Sequence, residues 1–370
     1  MKITLYKMKH LPVRLVVVLS LCMLVTACNK LIPEPVTVIP PTREVPTQAL
    51  QAYKTNLDSR FVAIGFMYGW GKADASILMH TPDSLDIIVV KDGYEKLSDA
   101  QVADLKTVQG KKATRVLMGY TLTDVNELLP SNQTLTDTVT NRAARALALF
   151  VSANPTATTA RRNAFRDSAQ AANRPIAGLE MRTKAYGIIV DAFAGAAEAV
   201  GLMKESGFDG ISIQFPNAIS ASYLGDTVEA IAGRFISEAA VGRGKQHLLI
   251  VENPDTTAST ALSAANWLVY NRTTPTYTLA NFTRDAAFWG SGKFIPSADY
   301  SNDTDADGFV DSETFSPNGI LPRTLDVINW KATNKAGAAF YHIEKNYNDI
   351  RGSFTYYSLR HAIIDLQRTQ

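Results

Sequence analysis

Eight short β-branched runs, separated by longer amphipathic or polar stretches, constrain this 370-residue chain more than any other feature. The expected strands are Phe61 to Met67, Leu85 to Val90, Thr114 to Gly119, Phe208 to Phe215, His247 to Val251, Trp267 to Tyr270, Phe294 to Ser297 and Ala336 to His342. No two of them stand side by side across a hairpin turn, which argues for parallel β/α architecture. Eight is the number that closes a (β/α)8 TIM-type barrel. Asp99 to Val108 and Tyr186 to Glu205 carry apolar residues at i, i+3 and i+4, as helices lying on a barrel should. Residues 123–182 are too many for one connection. Because they follow the third strand they belong on the carboxyl-terminal face, as a partly helical lid or platform.

The amino terminus concerns address. Lys2, Lys7, Lys9 and Arg14 precede an apolar run from Leu15 to Val25, which ends in Thr26-Ala27-Cys28. A positive segment, a short apolar run and small residues before a cut make up a secretory signal. The run spans about eleven residues, and a membrane-spanning helix needs roughly 20. A cysteine directly after Thr-Ala makes residues 1–27 a lipoprotein signal, with lipid on Cys28. The other of the two cysteines, Cys22, lies in the leader, so the mature chain offers no disulfide and no cysteine metal site. Loss of the leader moves the formal charge from +2 to −2, and so near neutrality there is no electrostatic case for nucleic acid. Residues 28–50, with Pro33, Pro35, Pro40, Pro41 and Pro46, read as an extended tether. Residues 51–370 then form the barrel.

The segment Asp209-Gly210-Ile211-Ser212-Ile213-Gln214-Phe215-Pro216 lies on the fourth strand. It resembles the fourth barrel strand of glycoside hydrolase family 18, whose motif is D-x-x-D-x-D-x-E. The resemblance implies that the last residue is the general acid and the preceding Asp orients the substrate's acetamido group, in a substrate-assisted mechanism. Aligned on Asp209, the motif reads D-x-x-S-x-Q-x-P, with Ser212, Gln214 and Pro216 in place of three carboxylates. Period-two geometry gives the same answer without the family. If Ile211, Ile213 and Phe215 face the helices, Ser212, Gln214 and Pro216 face the barrel interior and its mouth. None of these three exchanges a proton near neutral pH, and a general acid must.

Further stretches carry the likeness along most of the chain from Arg60. Ser84 to Val89, Thr114 to Leu117 and Lys335 to Glu344 resemble strands of the lipoprotein branch of this family in gut Bacteroidota, and Tyr356 to Leu366 resembles its closing helix. The branch implies lipid-anchored proteins of glycan utilisation, working beside starch-utilisation-type transporters and including endo-β-N-acetylglucosaminidases that act on N-glycans. Three readings follow. The first is a non-catalytic pseudoenzyme that binds GlcNAc-containing or N-glycan-type carbohydrate. The second is an active endo-β-N-acetylglucosaminidase with a relocated acid, for which Glu252 at the end of the fifth strand is the candidate. The third is a structural or assembly lipoprotein. The address expected is the outer membrane. Asn29-Lys30-Leu31 after Cys28 is not the acidic run that marks surface export by resemblance, so the leaflet stays open.

A retained groove would use flat rings against sugars. Tyr68 and Trp70 follow the first strand, and Tyr223, Trp289 and Tyr300 lie on expected loops, with Gln214 as a polar partner. Trp267 and Trp330 read as structural. No cofactor is required by this reading. Asp303, Asp305, Asp307 and Asp311, with Gly308, have the spacing of the opening of a calcium loop but lack its final Glu. The alternative there is a solvated acidic loop stiffened by Asx turns. The histidines show no metal or catalytic spacing, and no phosphate-loop or nucleophile-elbow motif occurs.

Overall fold

The computed structural model describes residues 47–215, 222–224, 227–254, 259–271, 279–290, 293–302, 323–348 and 354–369. They belong to a compact unit spanning Arg43–Gln370. Eight parallel strands close into a barrel in sequence order: β1 (Val62–Met67), β2 (Ile87–Val90), β3 (Arg115–Thr121), β4 (Gly210–Gln214), β5 (Leu248–Glu252), β6 (Trp267–Tyr270), β7 (Phe294–Asp299) and β8 (Gly337–Tyr341). Each expected strand is present, with no end shifted by more than two residues. β8 closes on β1 through pairs such as Val62 with Gly337 and Gly65 with Phe340.

Alternation divides the side chains into two layers. Val62, Ile64, Phe66, Ile87, Val89, Leu117, Ile250, Val269 and Ile295 fill the barrel interior. Ala63, Ile88, Val116, Ile211, Ile213, Leu249 and Phe340 face outward into a second core with the helices. The lower interior is apolar, whereas Ser212, Gln214, Glu252, Ser297 and Asp299 occupy inward positions nearer the carboxyl ends of their strands. That gradient places the polar chemistry at the mouth.

Helix α1 (Thr47–Thr55) begins ahead of the barrel start expected at 51 and seals the amino-terminal end. Its Lys54 is buried and donates to the Leu85 carbonyl and the Thr114 hydroxyl, both at 2.6 Å. Helix α2 (Asp99–Thr107) starts at a capping box: the Gln101 amide donates to the Ser98 hydroxyl, and the Gln101 side chain accepts from the Ser98 amide.

The insertion is more regular than expected. It is a helical hairpin, α3 (Asn132–Ala153) and α4 (Thr159–Glu205), capped by Ser131 and Thr158. Phe150 stacks on Phe165 and Arg142 pairs with Glu180 between the two helices. The expected helix Tyr186 to Glu205 is only the barrel-facing end of α4, which runs unbroken for 47 residues with Pro175 inside it. Gly195 lies against Tyr120 at the end of β3, so roughly the first 35 residues of α4, about 50 Å at helical rise, extend beyond the carboxyl ends of the strands. Helix α5 (Thr227–Arg243) packs beside α4, and α6 (Tyr357–Arg368) follows the last strand.

Candidate active site

The inward residues of β4 meet a charge pair. Lys91, directly after β2, donates to the Gln214 side-chain oxygen at 2.8 Å and to both Glu252 oxygens at 3.0 and 3.2 Å. Glu252 Oε1 also accepts from the Ser212 hydroxyl at 2.8 Å, and Oε2 from the Tyr341 hydroxyl at 2.6 Å. The Lys91 and Glu252 side chains are 2% and 0% exposed. Gln214 is aligned with Glu252 in the β4–β5 ladder and takes a further bond from Thr121.

Lys91 reaches β4 and β5 only because it passes over Gly119 of β3. A Cβ there would stand 2.8 Å from Lys91 Cδ and 3.0 Å from the Val90 carbonyl oxygen. Under the pair, the Tyr341 and Phe66 rings stack with centroids 3.9 Å apart, and Lys91 Nζ lies 5.6 Å from the Phe66 centroid. Burial pushes the Tyr341 phenol well up, and the Glu252 charge adds to this, so Tyr341 is a fixed donor.

A second polar group lies where β7, β8 and β1 end. His342 has left-handed backbone (φ 52°), stacks on Tyr68 at 3.9 Å, and donates Nδ1–H to Asp299 at 2.7 Å. Burial raises Asp299, but the hydrogen bonds from His342 and Ser301 and the His342 charge more than offset it, so its carboxyl lies below the usual range. Glu344 accepts from the Tyr68 amide at 3.1 Å, and burial holds its carboxyl above the usual range. Asp92 accepts from the Gly69 amide. Burial pushes the Tyr68 phenol up, followed by the charges of Glu252, Asp299, Glu344 and Asp92.

A family model described as "Glycoside hydrolase family 18, BT1044-like" matches residues 34–169. A solved selenomethionyl variant of BT1044 superposes with a TM-score of 0.52 at 16% identity, covering 90% of this chain and 98% of that one. The chain is similar to glycoside hydrolase family 18 over residues 34–169, and its fold is a (β/α)8 TIM barrel. A chitinase from Bacteroides thetaiotaomicron (TM-score 0.45, 10% identity, 84% of this chain and 96% of that one) and a family 18 chitinase from Pseudoalteromonas aurantia (0.42, 9%, 83% and 99%) are also similar. No curated protein matches the sequence.

The four positions aligned with the motif separate. Ser212 and Gln214 point inward to the Lys91–Glu252 pair, whereas Asp209 sits at the opposite end of β4. There it accepts from the Val116 amide and from Gln109 at 2.8 and 2.9 Å, with Arg115 at 3.2 Å, and ties β3 to β4. Pro216 lies outside the described residues, as do Cys28 and the aspartates Asp303, Asp305, Asp307 and Asp311. Among the described residues no group of three or more His, Cys, Asp or Glu could hold a metal ion.

Glu252, the candidate relocated acid, lies within the barrel mouth beside Gln214. Its two oxygens are taken up by Lys91, Ser212 and Tyr341, and its side chain is 0% exposed. Several expected sugar-facing rings are also relocated. Trp70 is 2% exposed, donates its indole N–H to Asp104 at 3.0 Å and packs edge-on to Phe208, between barrel and α2. Trp289 is buried against Tyr270 and Phe294, and Tyr300 against Phe340. Tyr223 is partly buried on the outer core. Tyr68 remains at the mouth, half-buried. Lys91, Tyr341, His342 and Asp299 were not singled out from sequence. Their shared signal is position, since each ends or directly follows a strand and so belongs to the carboxyl-terminal face.

Proposed function

We propose that this family 18-like protein is a lipid-anchored, non-hydrolytic glycan-binding protein of a carbohydrate-utilisation system, taking GlcNAc-containing or N-glycan-type chains at its barrel mouth. One observation carries the reading: the inward face of β4 offers Ser212 and Gln214, both engaged with a buried Lys91–Glu252 pair. No titratable group on that face is free to protonate a leaving oxygen, and the position aligned with the acid is Pro216. The signal before Cys28 and the proline-rich stretch after it support a tether to the outer membrane, in a leaflet that the basic residue Lys30 does not specify. Working beside a starch-utilisation-type transporter, such a protein would hand captured chains onward.

The test is binding without turnover. The purified protein should retain N-glycans, mucin glycans or chitin-type oligomers on an array and in affinity gels, and release no product from them. Silence on all three classes removes the reading. A second reading, hydrolysis through a relocated acid, is favoured only by Glu344, whose burial makes it hold its proton more tightly than an ordinary carboxyl. Loss of measurable turnover in Glu344→Gln would support that alternative.

A further inference from the structure

At the corner of the mouth where β7, β8 and β1 end, Tyr68 is fixed from three directions. Its amide donates to Glu344 Oε2 at 3.1 Å, the Gly69 amide donates to Asp92 Oδ1 at 2.5 Å, and its ring lies on His342 with the planes 8° apart. His342 is held in turn by Asp299 at 2.7 Å, which also accepts from the Ser301 amide at 2.8 Å. The backbone of His342 is left-handed (φ 52°, ψ 44°). For a residue other than glycine that conformation persists only where the surroundings impose it, and such residues gather at ligand sites. The cluster is nevertheless open, since Tyr68, Asp299, His342 and Glu344 are each only partly buried. Among the described residues neither the Tyr68 hydroxyl nor His342 Nε2 has a hydrogen-bond partner, and neither is sealed from solvent.

We propose that Tyr68 and His342 form a preformed subsite for one neutral sugar residue, and that Asp299 and Glu344 make it discriminate against acidic ones. The inference rests on the glycan-binding reading above and names the chains that the mouth favours. A phenol and an imidazole with open polar atoms, locked in one orientation, suit the hydroxyls of a pyranose, and the locking lowers the ordering cost of binding. Charge sets the class. Glu252 is answered by Lys91, whereas Asp299 has only His342, and Glu344 has no ion pair among the described residues. The lysines near this corner, Lys72 and Lys345, are exposed, and Lys72 comes only within 3.9 Å of Asp92, so solvent and salt screen them. A carboxylate or sulfate on the ligand would meet like charge here, and like-charge contact is a strong means of rejection.

Calorimetric titration near neutral pH with an asialo N-glycan, its sialylated form and chitotetraose tests this. The neutral chains should bind about 10-fold tighter than the sialylated one or better, with the gap narrowing in about 0.5 M NaCl. Tyr68→Ala should weaken neutral binding by about 30-fold, the scale of a binding hot spot. His342→Ala should weaken it too, and His342→Phe, which can keep the stack, should restore most of the loss. Asp299→Asn and Glu344→Gln keep size and should each shrink the neutral-to-acidic ratio several-fold. That ratio stays readable even if a variant loses part of its fold. If the unaltered protein binds glycan but Tyr68→Ala binds equally well, or if acidic and neutral chains bind alike, the subsite is overturned and the glycan-binding reading stands. If the unaltered protein binds none of the three, both fall.

Discussion

Lys91 Nζ lies 3.0 Å from Glu252 Oε1, and both side chains are shut off from solvent inside the barrel mouth. The pair joins the end of β2 to the end of β5 across β3 and β4, and it holds in place the two inward side chains of the strand on which a family 18 acid would stand.

A buried pair of this kind is costly to break and cheap to replace. Lys91→Met leaves the Glu252 charge without its cation and should destabilise the fold by about 3–5 kcal/mol, whereas Lys91→Met with Glu252→Met should recover most of that. Urea unfolding of the two single variants and the double variant checks it. Equal losses in single and double variants would mean that the pair is not the organising contact.

The corridor for Lys91 is Gly119. Gly119→Ala forces a methyl against the lysine stem and the Val90 carbonyl, so overpacking should cost about 1–3 kcal/mol. Combining it with Lys91→Met removes part of the collision, and thermal melts of the series should show less than additive loss.

Much of the barrel was legible because strands buried on both faces read as continuous apolar runs, and Ile87 to Val90 is the plainest of these. The helical hairpin was less legible. Its outer helix buries only Val139 and Ala143, so α3 has little apolar pattern to find, and α4 runs straight through Pro175 where a break is expected. The site was legible on β4 alone. Its partners arrive from β2, β5 and β8, brought together by barrel closure, and Lys91 and Glu252 are 161 residues apart in the chain. Trp70 was misplaced for a similar reason: the acceptor that turns it outward is Asp104 of α2, 34 residues on.

Two buried amines make stability depend on pH on the alkaline side. Burial lowers Lys54 and Lys335 from 10.5 to about 8, and each still donates hydrogen bonds when neutral. Between about 8 and 10.5 the unfolded chain binds more protons than the folded one, so stability from these two groups rises with pH across that window. Lys54→Met should flatten the rise in chemical denaturation midpoints measured from pH 7.5 to 10. An unchanged slope would show that Lys54 keeps an ordinary proton affinity.

The central claim is that the barrel mouth lacks a working general acid, and product release from chitobiose-core N-glycans and synthetic GlcNAc glycosides tests it most directly. General acid–base assistance is worth about 10² to 10⁴ in rate, so the unaltered protein should release no product above background at high protein concentration while still retaining the glycan. Any activity that appears in Pro216→Glu with Gln214→Asp would place the lost acid at that position. Robust, metal-independent release by the unaltered protein, surviving Gln214→Ala, would contradict the account.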